Sequence, residues 1–174
     1  MKRSERGFRQ RLRMIFAAVK SFLDRKDIVI SPRRYGVEAM GAMAQGLFCS
    51  LLIGTILNTA GTQLGLPFLN QVGADASQMS GAAMAVAIGY ALHCPPLVLF
   101  SLVPVGFSAN TQGGAGGPLA VLIIAILAAE AGKAVSKETK IDILVTPLVT
   151  VLLGSGLSAW WAPAIGKAAS SVGQ

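Results

Sequence analysis

The chain has 174 residues, 53% of them apolar and 13% charged. A soluble domain carries roughly 25% charged residues, yet between Ala39 and Ala129 the only charged side chain is Asp75 and the only histidine is His93. A water-solvated domain is therefore excluded over that stretch, because a surface facing water needs charges and a bilayer penalises them.

A chain of this length can hold about four or five spans of roughly 20 residues each. The formal charge of +7 is unevenly placed. Residues 1–34 hold 11 of the 15 cations and the acids Glu5, Asp24 and Asp27, and so carry +8; the remaining residues carry −1. A cytoplasmic basic flank accounts for this pole, and no nucleic-acid partner is expected.

Residues 1–30 read as a basic amphipathic arm. Phe8, Leu12, Ile15, Val19 and Phe22 recur at helical spacing, with Arg9, Arg13 and Lys20 between them. Such a helix is too charged to span and is expected on the anionic inner leaflet, with membrane lipid as its partner. No uninterrupted apolar run follows the cations, so the arm is not a signal peptide. Asp27 is its expected end. Residues 31–174 form the expected transmembrane domain.

The first span is predicted from Val37 to Leu57, extending as far as Leu64. Ala42, Gly46, Ser50 and Gly54 form a small-residue stripe along which another helix backbone can approach. Leu66-Pro67 breaks it. The second helix is predicted from Pro67 to His93, polar through Asp75 and Gln78, then carrying the stripe Ser77, Gly81, Ala85, Gly89; Cys94-Pro95-Pro96 ends it. The third element, Leu97–Ser108, contains Pro104 and Gly106 and is expected to be a broken span or a re-entrant segment.

The run from Ser108 to Pro118 is rich in glycine and amides. It leads into an apolar helix predicted from Pro118 to Ala134. Proline suits a first helical position, and a loop at a helix start can offer backbone N–H groups to an anion or a sugar hydroxyl. The alternative is a plain tight turn. It is not a P-loop, since the lysine of that motif is absent. Lys133, Lys137, Glu138, Lys140 and Asp142 form a polar connection. The last helix is predicted from Ile141 to Ala164, with the stripe Thr146, Thr150, Gly154, Ser158, Ala162, and Trp160 and Trp161 as interface anchors. Five crossings put both cationic regions on the cytoplasmic side and are preferred over four.

The predicted fold is an all-α transmembrane bundle of about five segments, one short or broken, preceded by an interfacial helix. Candidate solute-binding residues are Asn110, Gln112, Gly113, Gly114, Gly116 and Gly117. His93 is an intramembrane ionisable group, with a satisfied interfacial histidine as the alternative. Glu130 could hold a solute or coupling cation; the alternative is an i,i+3 pair with Lys133. Cys49 and Cys94 are expected as free thiols. No catalytic residue, metal site or cofactor is expected, because no nucleophile–base arrangement, paired-carboxylate site or ligand spacing appears.

Three runs carry a family resemblance: Arg34-Tyr-Gly-Val-Glu-Ala-Met-Gly-Ala-Met-Ala-Gln-Gly-Leu-Phe48, Asn110-Thr-Gln-Gly-Gly-Ala-Gly-Gly-Pro118 and Lys137-Glu-Thr-Lys-Ile-Asp-Ile-Leu-Val-Thr-Pro147. Over about residues 31–170 the chain resembles the EIIC-like membrane family of the bacterial phosphotransferase system, whose members are described as sugar transporter subunit IIC. The resemblance implies carbohydrate uptake coupled to phosphorylation by soluble IIA and IIB components, in the bacterial cytoplasmic membrane with the N-terminus cytoplasmic. No phosphoryl-carrying domain is evident here, so the chain is at most the permease subunit. Members are typically about twice this length, which makes the chain similar to their N-terminal half. A five-crossing half has odd parity, and inverted repeats place solute between two halves. Association with a second copy or a second half is therefore expected. The alternatives are a non-transporting membrane scaffold or regulator, and a secondary transporter of another small solute.

Overall fold

The computed structural model describes residues 2–172, with the side chains of 11–171. Phe8 and Arg9 of the arm pattern lie outside the described side chains. All described secondary structure is helical. Helix α1 spans Lys2–Arg25, α2 Arg34–Leu64, α3 Pro67–Gln78, α4 Ser80–Ala91, α5 Pro96–Gly113, α6 Gly117–Val135 and α7 Asp142–Val172.

Helix α2 is continuous over 31 residues. Two widened turns interrupt its regular pitch, where Ala39 N–H bonds to Arg34 O and Ile53 N–H to Phe48 O. These π-type turns rotate the following face about the axis. Gly65, at φ 65°, closes the helix, because a left-handed residue there costs glycine little. Pro67 then opens α3 at a position where its missing N–H is not needed.

The predicted single helix from Pro67 to His93 is bent. At Met79, with φ −82° and ψ 5°, α3 gives way to α4. Hydrogen bonds persist across the bend, Met79 N to Asp75 O at 3.2 Å and Ala83 N to Met79 O at 2.9 Å. Below it, α3 packs chiefly on α2, while α4 enters the bundle against α2, α5 and α6.

The third element corrects the expectation of a broken or re-entrant segment. Helix α5 runs unbroken for 18 residues, about 27 Å. Pro104 faces outward, and Gly106 serves as a contact rather than a break, since a Cβ on it would meet Gly81 carbonyl carbon at 2.9 Å. The helix also absorbs Ser108–Gly113, half of the expected loop. At Gly114, with φ 51°, the chain reverses into α6. Val98 lies beside Gly132 and Asn110 beside Gly117, so α5 and α6 form an antiparallel hairpin.

Helix α7 closes the bundle, parallel to α5. Thr150 meets Gly132, Gly154 meets Val105 and Ala128, and Gly166 meets Gly113. The small-residue stripes are thus packing faces. A Cβ on Gly46 would lie 2.6 Å from Ala83 O, and one on Gly54 would lie 2.6 Å from Gly73 O. Hydroxyls on these stripes turn back to their own helix, as in Ser50 Oγ to Gly46 O at 2.7 Å, Thr150 Oγ1 to Thr146 O at 2.8 Å and Ser158 Oγ to Gly154 O at 2.8 Å. A buried hydroxyl is satisfied in this way without a partner across the interface.

The core is small and aliphatic: Met84, Ala85, Ile88, Leu102, Val105, Ile124, Ala125 and Ala128 are fully buried. Large apolar side chains cover the outside instead, among them Phe48, Leu52 and Ile56 of α2, Phe100 of α5, and Leu144, Leu148 and Leu152 of α7. That inversion suits hydrocarbon, where small residues pack helices and large ones face lipid. The molecule is a polytopic α-helical membrane bundle. Its antiparallel path sorts the connections: Arg34, His93 and Ser136 lie at one end, Gly65 and Gly114 towards the other.

Candidate functional site

The residues expected to bind solute fall into two groups at different depths. Asn110, Gln112 and the glycines lie at the α5–α6 reversal. The Asn110 amide donates to Ser80 Oγ at 3.3 Å, beside the Met79 bend, and the Gln112 amide donates to Ser108 Oγ at 2.7 Å on the same helix. Gly113 faces Ala120 and Ala162, Gly116 lies against Gly166 and Ala169, and Gly117 packs on Asn110. Gly114 alone among the four has open space where a Cβ would stand.

His93 and Glu130 are brought together at the opposite end, in a cluster that local spacing does not reveal. Its keystone is Asp27, in the short segment between α1 and α2. Arg34, 7% exposed, forks onto the Asp27 carboxylate with contacts of 2.6 and 3.2 Å. His93 Nδ1 lies 3.1 Å from the same carboxylate. Arg34 also donates to Leu92 O at 3.0 Å. Lys133, 2% exposed, places its ammonium 2.8 Å from Asp27 O, 3.0 Å from Leu92 O and 2.9 Å from Glu130 Oε2. Tyr35 OH donates to Glu130 Oε1 at 3.0 Å.

The cluster is balanced: two acids, Asp27 and Glu130, face two cations, Arg34 and Lys133. The Lys133 ammonium makes two hydrogen bonds, to Asp27 O and Leu92 O, and an ion pair with Glu130, so the buried cation is paired; Glu130 Oε2 and Arg34 Nε have no hydrogen-bond partner of their own among the described residues. The Asp27 carboxyl is held at about 2, chiefly by its hydrogen bonds from Arg34 and further by His93, against partial burial that pushes it up. Asp27 adopts φ 53° and His93 φ 56°, left-handed backbone in two residues other than glycine. The network thus fixes two otherwise unfavourable turns where the chain enters α2 and leaves α4.

The neighbouring segments join this cluster. Lys26 donates to Ser136 O and lies 2.6 Å from Glu138 Oε1, and Arg25 reaches the same carboxylate at 3.5 Å. Lys26 holds the Glu138 carboxyl below the usual range. A polar cleft of about 430 Å³ opens here beneath the end of α1. A second cleft of about 600 Å³ is apolar and lies between α2, α4 and α5, lined by Ala42, Gly46, Ala83, Val86, Leu99 and Val103.

Of the alternatives open in the sequence, the structure shows the Glu130–Lys133 pair directly. Lys133 lies in the last turn of α6, within the helix expected from Pro118 to Ala134, and its side chain is buried rather than part of the exposed connection. The sequence reading missed Arg34, Tyr35 and Asp27 as cluster members. Arg34 and Asp27 are seven residues apart, but their contacts and that of Tyr35 with the end of α4 and with α6 span 58 to 106 residues, beyond any local pattern. The one available signal was the Glu130–Lys133 spacing inside an apolar run.

The arrangement offers no nucleophile with an adjacent base. Among the described residues no group of three or more histidine, cysteine, aspartate or glutamate side chains could hold a metal ion. Its chemistry is that of a polar membrane protein: hydrogen-bonding amides at one end, a charge-balanced clamp at the other.

No curated protein and no solved structure is significantly similar to the chain. The family described as Phosphotransferase system, EIIC matches residues 37–174, which takes in nearly all of α2 and the whole of α3 to α7. This bundle is accordingly a member of the phosphotransferase system EIIC family.

Proposed function

We propose that the chain is the membrane permease component of a phosphotransferase-type carbohydrate uptake system. The observation that carries the reading is the EIIC match over 37–174, coinciding with a polytopic bundle of antiparallel helices. Proteins of this family typically act in the lipid membrane with soluble IIA and IIB components. The mechanism is alternating access, with the solute approached by Asn110, Gln112 and the backbone of Gly113, Gly114, Gly116 and Gly117. The open side of Gly114 and the amide pair support that placement. His93 and Glu130 serve it from the other end, through the clamp that holds α2, α4 and α6 together. Five crossings leave the solute path with one wall, and a second half or a second copy supplies the other. The arm end lies on the cytoplasmic side, in keeping with its cations.

The test is uptake into right-side-out membrane vesicles carrying the chain, across a panel of sugars, with and without a soluble extract supplying IIA, IIB and a phosphoryl donor. Donor-dependent accumulation of a phosphorylated sugar is expected. Flux driven by an ion gradient without the donor would replace this reading with a secondary transporter. Absence of both flux and solute-dependent thermal stabilisation would leave a non-transporting scaffold.

A further inference from the structure

The cleft beneath α1 has charge to spare. Four cations line it, Arg25, Lys26, Lys133 and Lys137, against two acids, Asp27 and Glu138. The adjoining Arg34 and Glu130 cancel each other. Both acids are engaged: Asp27 is forked by Arg34, and Glu138 lies 2.6 Å from Lys26. Lys133 is engaged by two hydrogen bonds, to Asp27 O and Leu92 O, and by its ion pair with Glu130. The surplus therefore resides in Arg25, whose one acidic contact is long at 3.5 Å, and in Lys137, whose ammonium forms no ion pair among the described residues although its backbone N–H donates to the Asp142 carboxylate at 2.7 Å. His93, 73% exposed, stands at the rim with its Nδ1 turned to Asp27. Beneath the floor, the buried Ser136 hydroxyl has no hydrogen-bond partner.

We propose that this cleft binds a phosphate group, and that the phosphate belongs to the headgroup of an anionic lipid. A fork-shaped guanidinium beside an ammonium matches phosphate oxygens in both charge and geometry. The place favours a lipid source. The cleft sits where α4 and α6 end and α2 begins, the level at which spanning helices meet headgroups. The arm leaving it is a helix with Met14, Ile15, Phe16 and Val19 exposed and Arg11, Arg13 and Lys20 among them, a composition suited to the same surface. Basic pockets between membrane helices are a recurrent solution for anionic headgroups. The lipid would join the arm to the bundle at the segment Arg25 to Asp27, whose side chains form ion pairs with the bundle.

The full chain, delipidated in phosphatidylcholine, would be titrated with phosphatidylglycerol, and the first bound lipid resolved by native mass spectrometry. The variant Arg25→Gln/Lys137→Asn removes the two surplus charges; both side chains are exposed, and asparagine tolerates the φ of 62° at position 137. It should weaken the first phosphatidylglycerol roughly thirtyfold, at the strength expected for two surface cations. Arg11→Gln/Arg13→Gln, in the arm, should leave that first site intact and lower only later, weaker binding. Equal losses in the two variants would overturn the proposal in favour of general surface attraction. Stabilisation by inorganic phosphate or a sugar phosphate, with no preference for phosphatidylglycerol over phosphatidylcholine, would overturn the lipid assignment.

Discussion

At the scale of single residues, Asp27 and Lys133 bear the heaviest structural roles. Lys133→Met leaves Glu130 buried against Tyr35 without its counter-charge, and should cost about 3–5 kcal/mol. Adding Glu130→Gln should recover part of that loss, because the orphaned charge is then gone. Thermal unfolding of the single and double variants in one detergent measures the difference; a double variant as unstable as the sum of the two singles would argue against the pairing. Asp27 gives a pH signature. Its carboxyl falls from 3.8 to about 2 in the folded chain, so its contribution is fully present above 3.8 and is lost as pH falls through about 2. Wild type should lose stability across that window more steeply than Asp27→Asn, which has no carboxylate to protonate. Parallel curves would show that the clamp does not depend on this charge. At the other end, Asn110→Ala should weaken solute affinity by roughly 1–3 kcal/mol if its amide contacts solute. Gly116→Val should instead disturb folding, since Gly166 Cα stands 2.9 Å from the added carbon.

At the scale of elements, the glycine stripes make a graded prediction. Gly46 faces the backbone of Ala83 and Met84, which cannot move aside, whereas Gly89 faces the ends of the Leu99 and Leu102 side chains. Gly46→Leu should therefore cost at least about 1–3 kcal/mol, Gly89→Leu less, and Gly41→Leu very little, since nothing stands within 4 Å of it. Unfolding midpoints in that order would support the packing; equal tolerance would refute it. These stripes were legible in the sequence because small residues repeat at every fourth position. The course of α5 was not. Pro104 and Gly106 looked like breaks, yet proline on an outward face loses one backbone bond without a buried clash, and glycine there is the contact for Gly81. Local sequence cannot distinguish a breaking glycine from a packing one when the partner sits 25 or more residues away.

At the scale of the whole molecule, membrane residence, the all-helical fold and the family were readable from charge depletion, periodicity and three short motifs. The clamp was not, because it joins Asp27, Arg34, Leu92 and Lys133 only after four helices have folded back on one another. The proposed topology has odd parity: five membrane passes would leave the arm and the Lys137 connection on one side and Gly65 and Gly114 on the other. The direct measurement is two-sided cysteine labelling in a Cys49→Ala/Cys94→Ala background, with single cysteines at Lys137, Lys140, Gly65 and Gly114, using an impermeant maleimide on intact and permeabilised cells. Labelling at positions 65 and 114 in intact cells, with positions 137 and 140 reached only after permeabilisation, is the predicted result. Positions 114 and 137 labelled from the same side would contradict it, since α6 would then not cross.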